Sequence, residues 1–168
     1  MTEPLPNQRP LCPPCTHLTA GSGDLALIAV GNSLVPADSA ALILLEQLSE
    51  RSGVCKFPVG IYTAVIPEII ARHRVYVIID AIPEDEDTYP GSLIPLSEAV
   101  IENRSPDIPG LRASHGISFM DELRIYARTN RATPPGYFLG IASSKMAASL
   151  QELEQALEQI LDTIEHRS

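Results

Sequence analysis

The sequence predicts an α/β protein with a three-layer architecture: a mostly parallel central sheet of about five strands, with helices on both faces. Three observations carry that expectation. Short, unbroken apolar runs, Leu25–Val30 (LALIAV), Val75–Ile79 (VYVII) and Tyr137–Ala142 (YFLGIA), have the pattern of strands buried on both faces. Segments of helical period alternate with them along the chain. Parallel strands then follow, because each long crossover has to carry a helix that covers the sheet.

The elements are expected in the following order. Residues 1–23 hold five prolines and no hydrophobic period, which predicts a flexible Pro-rich N-terminal arm. A single domain then runs over residues 24–168. Leu25–Val30 is the first strand, stopped by the turn pair Gly31-Asn32. Ala40, Leu44, Leu45 and Leu48 recur at helical spacing and end at Ser52-Gly53, predicting a helix from about Asp38 to Arg51. Val54–Val59 is a second strand, with Pro58 at its end, and Ala64–His73 a second helix, with Pro67 tolerated in its first turn.

Arg74–Asp80 follows as a buried strand, and beyond the acidic run Glu84–Asp87 the segment Ser92–Leu96, carrying Pro95, suits an edge strand. A helix over Ser118–Arg128 is opened by a capping Ser118 with Asp121 three residues on. After the last strand, Tyr137–Ala142, a closing helix is expected from a capping box formed by Ser149 and Glu152. Its apolar stripe is Leu150, Leu153, Leu157, Ile160, Leu161 and Ile164.

Composition narrows the function. With 12 Lys+Arg against 21 Asp+Glu the net charge is −9, which repels a phosphate backbone and argues against nucleic acid as partner. No apolar run approaches the roughly 20 residues of a membrane span, and the N-terminus lacks the basic start and apolar core of a secretory signal. A cytoplasmic location is expected, where three cysteines do not make a disulfide framework.

In open α/β sheets ligands bind beyond the carboxyl ends of the strands. Asp38 lies eight residues beyond Val30, and Asp80 ends a buried strand. Asp38 taken alone reads first as a helix N-cap. Asp80, after five apolar residues, has to meet a cation, a metal or several hydrogen-bond donors to offset its desolvation, although a structural hydrogen bond would also serve. His115 sits in the small-residue loop Ala113-Ser114-His115-Gly116. Two oxygen ligands and one nitrogen ligand suit a borderline divalent ion such as Zn²⁺ or Ni²⁺, with positions left open for a substrate. Such binding should weaken as the imidazole protonates near its ordinary pKa of about 6.5. The motifs of serine-elbow hydrolases, zinc metalloproteases, phosphate loops and dinucleotide binders are all missing.

In their order and spacing these segments resemble the hydrogenase maturation endopeptidases, which trim the C-terminus of the large subunit of nickel–iron hydrogenases. Ala29-Val30-Gly31-Asn32-Ser33-Leu34 is similar to the family's opening strand and Gly-Asn-x-Leu turn, with Asp38 at its first metal-binding acid. Ile79-Asp80-Ala81 resembles the second site, Asp-Ala after a buried strand, and Ser114-His115 the Ser-His before a helix. The likeness extends over roughly residues 25–165, including Leu139-Gly140-Ile141 and the closing helix.

The resemblance implies an endopeptidase that removes the C-terminal extension of a nickel-loaded large-subunit precursor. Asp38, Asp80 and His115 would recognise the metal already installed in the substrate. Nickel would then belong to the substrate rather than be held permanently, with zinc or another divalent ion able to stand in its place. The chain is expected to work as a monomer, and a metal-bound or carboxylate-activated water would attack the peptide bond. One departure bears on this. The family has Gly-Asp-Asp/Glu-Gly-x-Gly around the first acid, whereas Pro36-Ala37-Asp38-Ser39-Ala40-Ala41 keeps one acid and none of those glycines. A non-cleaving maturation chaperone of the same fold therefore stays open as the alternative.

Three further features are outside that core. Cys12-Pro13-Pro14-Cys15-Thr16-His17 has a Cys-x-x-Cys but no second pair to complete a zinc site, and falls one residue short of a Cys-x-x-Cys-x-x-His stretch near the cleavage site of hydrogenase large subunits. It reads as an inert tail or as a metal-handling arm. Glu84–Asp87 reads as a solvated loop or as a guide for a basic substrate extension. Tyr62 and Thr63, after the second strand, either pack in the core or line the cleft.

Overall fold

A computed structural model describes residues 25–82, 93–102, 119–130 and 132–166. Five strands form one sheet: β1 (Leu25–Val30), β2 (Val54–Gly60), β3 (Val75–Ala81), β4 (Leu93–Pro95) and β5 (Gly136–Ile141). Their spatial order is β2-β1-β3-β5-β4, with β4 antiparallel to β5 and every other pairing parallel. The helices are α1 (Ala40–Gln47), α2 (Ile66–Ala71), α3 (Glu98–Glu102), α4 (Phe119–Thr129) and α5 (Met146–His166), with 3-10 turns at Pro36–Asp38, Thr63–Val65 and Ser143–Lys145.

Both faces of the sheet are buried, and the alternation of side chains along each strand shows how. Leu25, Leu27 and Ala29 of β1, with Val75, Val77 and Ile79 of β3, pack under α1 and α5. Ala26, Ile28 and Val30, with Tyr76, Ile78 and Phe138, pack on the opposite side under α2 and α4. A strand with no solvent face has no use for polar residues, which is why the strands read as continuous apolar runs. The three-layer expectation is met.

Each helix shows the burial its spacing requires. Leu153, Leu157 and Ile164 of α5 are buried at intervals of four and seven, and Phe119, Met120, Leu123 and Tyr126 do the same in α4. Arg124 of α4 donates through Nε to the Ile101 carbonyl at 2.8 Å and pairs with Asp121 at 2.8 Å, tying α3 to α4. Helix α3 had no counterpart in the sequence reading, because five residues are too few to display a period.

Several boundaries move. The first helix, expected from Asp38, begins at Ala40, and Asp38 instead closes the 3-10 turn that Pro36 opens. The second shortens to Ile66–Ala71, with a 3-10 turn taking up Thr63–Val65. The closing helix starts at Met146, three residues before the expected cap, so Ser149 lies inside it. Its hydroxyl is buried with no hydrogen-bond partner, and it does not act as a cap. The edge strand contracts to Leu93–Pro95. The Pro-rich arm with Cys12, Cys15 and His17, the run Glu84–Asp87, Ser118 and the loop of His115 lie outside the described residues.

Among the described residues no helix is long and apolar enough to cross a membrane. The strand order fixes where a ligand can enter. From β1 the chain crosses by α1, on one face, to β2 at the sheet edge. It then returns by α2, on the other face, to β3 on the far side of β1. The chain moves outward from β1 to β2 and, after β3, outward in the other direction to β5 and β4, so the strand order reverses between β1 and β3, where sheets of this kind have a crevice at their carboxyl ends, the usual ligand position.

Candidate functional site at the carboxyl ends of strands one and three

The loop after β1 is folded by short-range hydrogen bonds around Asn32 and Asp38. The Asn32 backbone N–H donates to Oδ2 of Asp38 at 2.8 Å, and the Asn32 side-chain oxygen accepts from the Leu34 N–H at 3.0 Å. Val35 N–H reaches the Asn32 carbonyl at 3.0 Å, and Asp38 N–H the Val35 carbonyl at 2.9 Å. Asp38 thus turns its carboxylate back over the strand end, and no side-chain cap bond is made at α1. The N-cap alternative is set aside by this geometry.

Gly31 makes the fold of this loop possible. Its φ is +140°, and a Cβ there would overlap the backbone carbonyl oxygen of Asp38. Its N–H donates to the Gly60 carbonyl at 3.2 Å, which joins the loops that leave β1 and β2.

Asp80 comes from the end of β3, opposite Gly140 of β5. Its Oδ1 accepts from the Ala81 N–H at 2.8 Å. Burial pushes its carboxyl from the ordinary 3.8 up to about 7; the Ala81 bond pulls in the other direction, and the charge of Asp38 adds to the rise. The two acids, forty-two residues apart in sequence, are therefore near enough in space to feel one another. A pair of this kind gains from a cation between its members and loses from its absence.

Structural comparison finds solved structures with the same fold. The hydrogenase maturating endopeptidase HybD from E. coli superposes with a TM-score of 0.59 at 18% identity, covering 81% of this chain and 93% of that one. An endopeptidase from Escherichia coli gives 0.57 at 19% identity, with 82% and 93% covered. The [NiFe] hydrogenase maturation protease HycI from Thermococcus kodakarensis KOD1 gives 0.54 at 15% identity, with 85% and 95% covered. The chain has the fold of the hydrogenase maturation endopeptidases. No sequence-family profile matches it, and no curated protein does.

On that maturation-endopeptidase fold, the three residues singled out in the sequence divide. Asp38 and Asp80 are brought together across the β1–β3 crevice, whereas His115 lies outside the described residues. Among the described residues no three His, Cys, Asp or Glu gather as a set of metal ligands. Tyr62 does not pack in the core, being 74% exposed. Sequence reasoning missed Asn32, whose backbone N–H holds the Asp38 carboxylate. The available signal was the turn pair Gly31-Asn32 directly after a buried strand, which demands local hydrogen bonding by the asparagine.

Proposed function

We propose that this chain is an endopeptidase that removes the C-terminal extension of a nickel-loaded nickel–iron hydrogenase large-subunit precursor. Asp38, Asp80 and His115 contact the metal carried by that substrate. The observation that bears most weight is the convergence of Asp38 and Asp80 at the switch point of the sheet, where the charge of one raises the pKa of the other. The likeness to solved maturation endopeptidases supports the reaction class, and His115 enters through the Ser114-His115 motif.

The residues suit a cation. Two carboxylates that repel each other bind a divalent ion with relief of that repulsion, and an imidazole supplies the softer ligand that nickel or zinc accepts. An ion of this kind withdraws electron density from the groups it touches. The raised pKa of Asp80 belongs to the site without a cation, and a divalent ion beside it would lower that pKa, so the carboxylate serves there as a ligand.

A second reading is favoured by the loop itself. Pro36–Asp38 forms a 3-10 turn without the glycines of the resembled motif, which fits a chaperone that binds the precursor without cutting it. One assay separates the two: nickel-loaded and nickel-free precursor incubated with wild type and with Asp38→Ala, Asp80→Ala and His115→Ala. Nickel-dependent cleavage that falls by about a hundredfold or more in each variant is the expected result. Binding without cleavage by the wild type transfers the protein to the chaperone reading, and neither binding nor cleavage rejects both.

A further inference from the structure

Among the described residues, four of the six exposed large apolar side chains fall at one place, the other two, Ile43 and Ile125, standing singly on α1 and α4. Leu34 is 88% exposed, Ile61 63% and Tyr62 74%, with Val35 at 44%; all four lie on the two loops that leave the carboxyl ends of β1 and β2. The Gly31–Gly60 hydrogen bond joins those loops at their bases. The Leu34 loop is the one that carries Asp38, so the apolar lip and the acid pair share a single edge of the sheet.

Nothing in the folding of the chain calls for this lip. Tyr62 donates its backbone N–H to the Val59 carbonyl and Leu34 its N–H to the Asn32 side-chain oxygen, so neither turn draws on the Tyr62 or Leu34 side chain, and both side chains stand exposed. Scattered single apolar residues are ordinary on a surface, but adjoining ones rimming a charged crevice mark a contact.

Shape says what kind of contact. Side chains this exposed stand proud of the surface rather than line a groove, so they insert into a partner instead of receiving one. At up to about 250 Å² for a large aromatic and less for the others, the four present roughly 500 Å². That is below the ~800 Å² per partner of a stable dimer, which disfavours a second copy of this chain as occupant. It is enough for the anchoring centre of a transient contact. Charge narrows the choice again, because the adjacent carboxylates require the partner to bring a cation to the same edge.

Resting on the function proposed above, we infer that Leu34, Ile61 and Tyr62 are a docking lip that inserts into an apolar concavity on the folded precursor, beside its metal. The lip positions Asp38 and Asp80 on the metal, and the body of the precursor is recognised rather than its C-terminal extension alone.

The test measures binding of nickel-loaded precursor, and separately of its C-terminal extension as a synthetic peptide, to wild type, Leu34→Ser, Ile61→Ser, Tyr62→Ser and the control Ile125→Ser, an exposed position on α4. Thermal unfolding checks that each variant remains folded, and Tyr62→Phe tests rescue by the conservative change. Precursor affinity should fall about tenfold or more in the three lip variants, with Tyr62→Phe and Ile125→Ser near wild type and peptide binding weak and unaffected. Unchanged precursor affinity overturns the inference. So does peptide binding that weakens in step with the lip variants, which makes the lip a peptide subsite, or self-association that the lip variants abolish, which makes the occupant a second copy. Processing that is lost in Asp80→Ala but normal in the lip variants removes the lip and leaves the endopeptidase. Lip-dependent binding with no cleavage does the reverse.

Discussion

Replacing Asp80 by Asn tests the electrostatics of the site without any substrate. Asn has nearly the shape of Asp and keeps an oxygen to accept from the Ala81 N–H, so the change removes only the charge. The folded-state pKa of about 7 lies above the ordinary 3.8, so the native carboxyl holds its proton more tightly than the unfolded one. By linkage, wild-type stability from this group is undiminished below about pH 4, is lost as pH rises toward 7, and is lowest above 7. A shift of about three units at ~1.4 kcal/mol each sets a ceiling of about 4 kcal/mol. Asp80 is only part-buried, and solvent screening brings the expected effect to about 2 kcal/mol. Urea denaturation of wild type and Asp80→Asn between pH 4 and 8.5 should therefore show nearly equal stabilities at the acid end and a variant more stable by about 2 kcal/mol at the alkaline end. A variant less stable than wild type at pH 8, or a difference that does not change with pH, would refute the reasoning, since either would mean the carboxylate is already compensated within the protein.

Two further substitutions probe the scaffold of the site. Gly31→Ala should cost about 1–3 kcal/mol and reduce precursor processing together, because its Cβ meets the Asp38 carbonyl at a φ that L-residues avoid; both are read by denaturation and by the cleavage assay. Tyr76→Phe should leave stability unchanged or raise it by about 1 kcal/mol in thermal or urea unfolding, because the buried Tyr76 hydroxyl has no hydrogen-bond partner among the described residues and its removal uncovers none.

What the sequence made legible follows from how each signal arises. Buried strands announce themselves because a strand covered on both faces excludes polar residues, and Leu25–Val30 and Val75–Ile79 were placed to within a residue or two. Helix starts were misplaced where Ser and Asp were read as caps. Ser149 and Asp38 both have the right chemistry, yet one is buried inside α5 and the other bonds backward to the Asn32 N–H. Capping residues also favour turns, and pattern alone does not decide between the two uses. The candidate acids were found by their places after strands. Their nearness in space depends on β1 and β3 being neighbours, a feature of strand order that no local pattern encodes. Leu34 and Ile61 were missed for the opposite reason, and Tyr62 was left between core and cleft. All three look like ordinary core formers in sequence, and only the turns around them reveal that they face water.

Two features of this chain run against its own folding, and they coincide. Asp80 carries a charge that burial opposes, and Leu34, Ile61 and Tyr62 leave apolar surface in water that α1, α2 and the sheet do not cover. Each alone has an ordinary explanation, a satisfied carboxylate in the first case and incidental exposure in the second. A common location is what those explanations do not supply. Other departures among the described residues are scattered singly, Ile43 on α1, Ile125 on α4 and the buried Tyr76 and Ser149 hydroxyls, as incidental exceptions are expected to be. The acid and the apolar group instead share the carboxyl end of the sheet, at β1 and its two neighbours β2 and β3. A partner bringing a cation and an apolar concavity to that edge would relieve both at once, compensating the carboxylates and covering the lip. The unfavourable terms in the isolated protein would then become part of the driving force for binding.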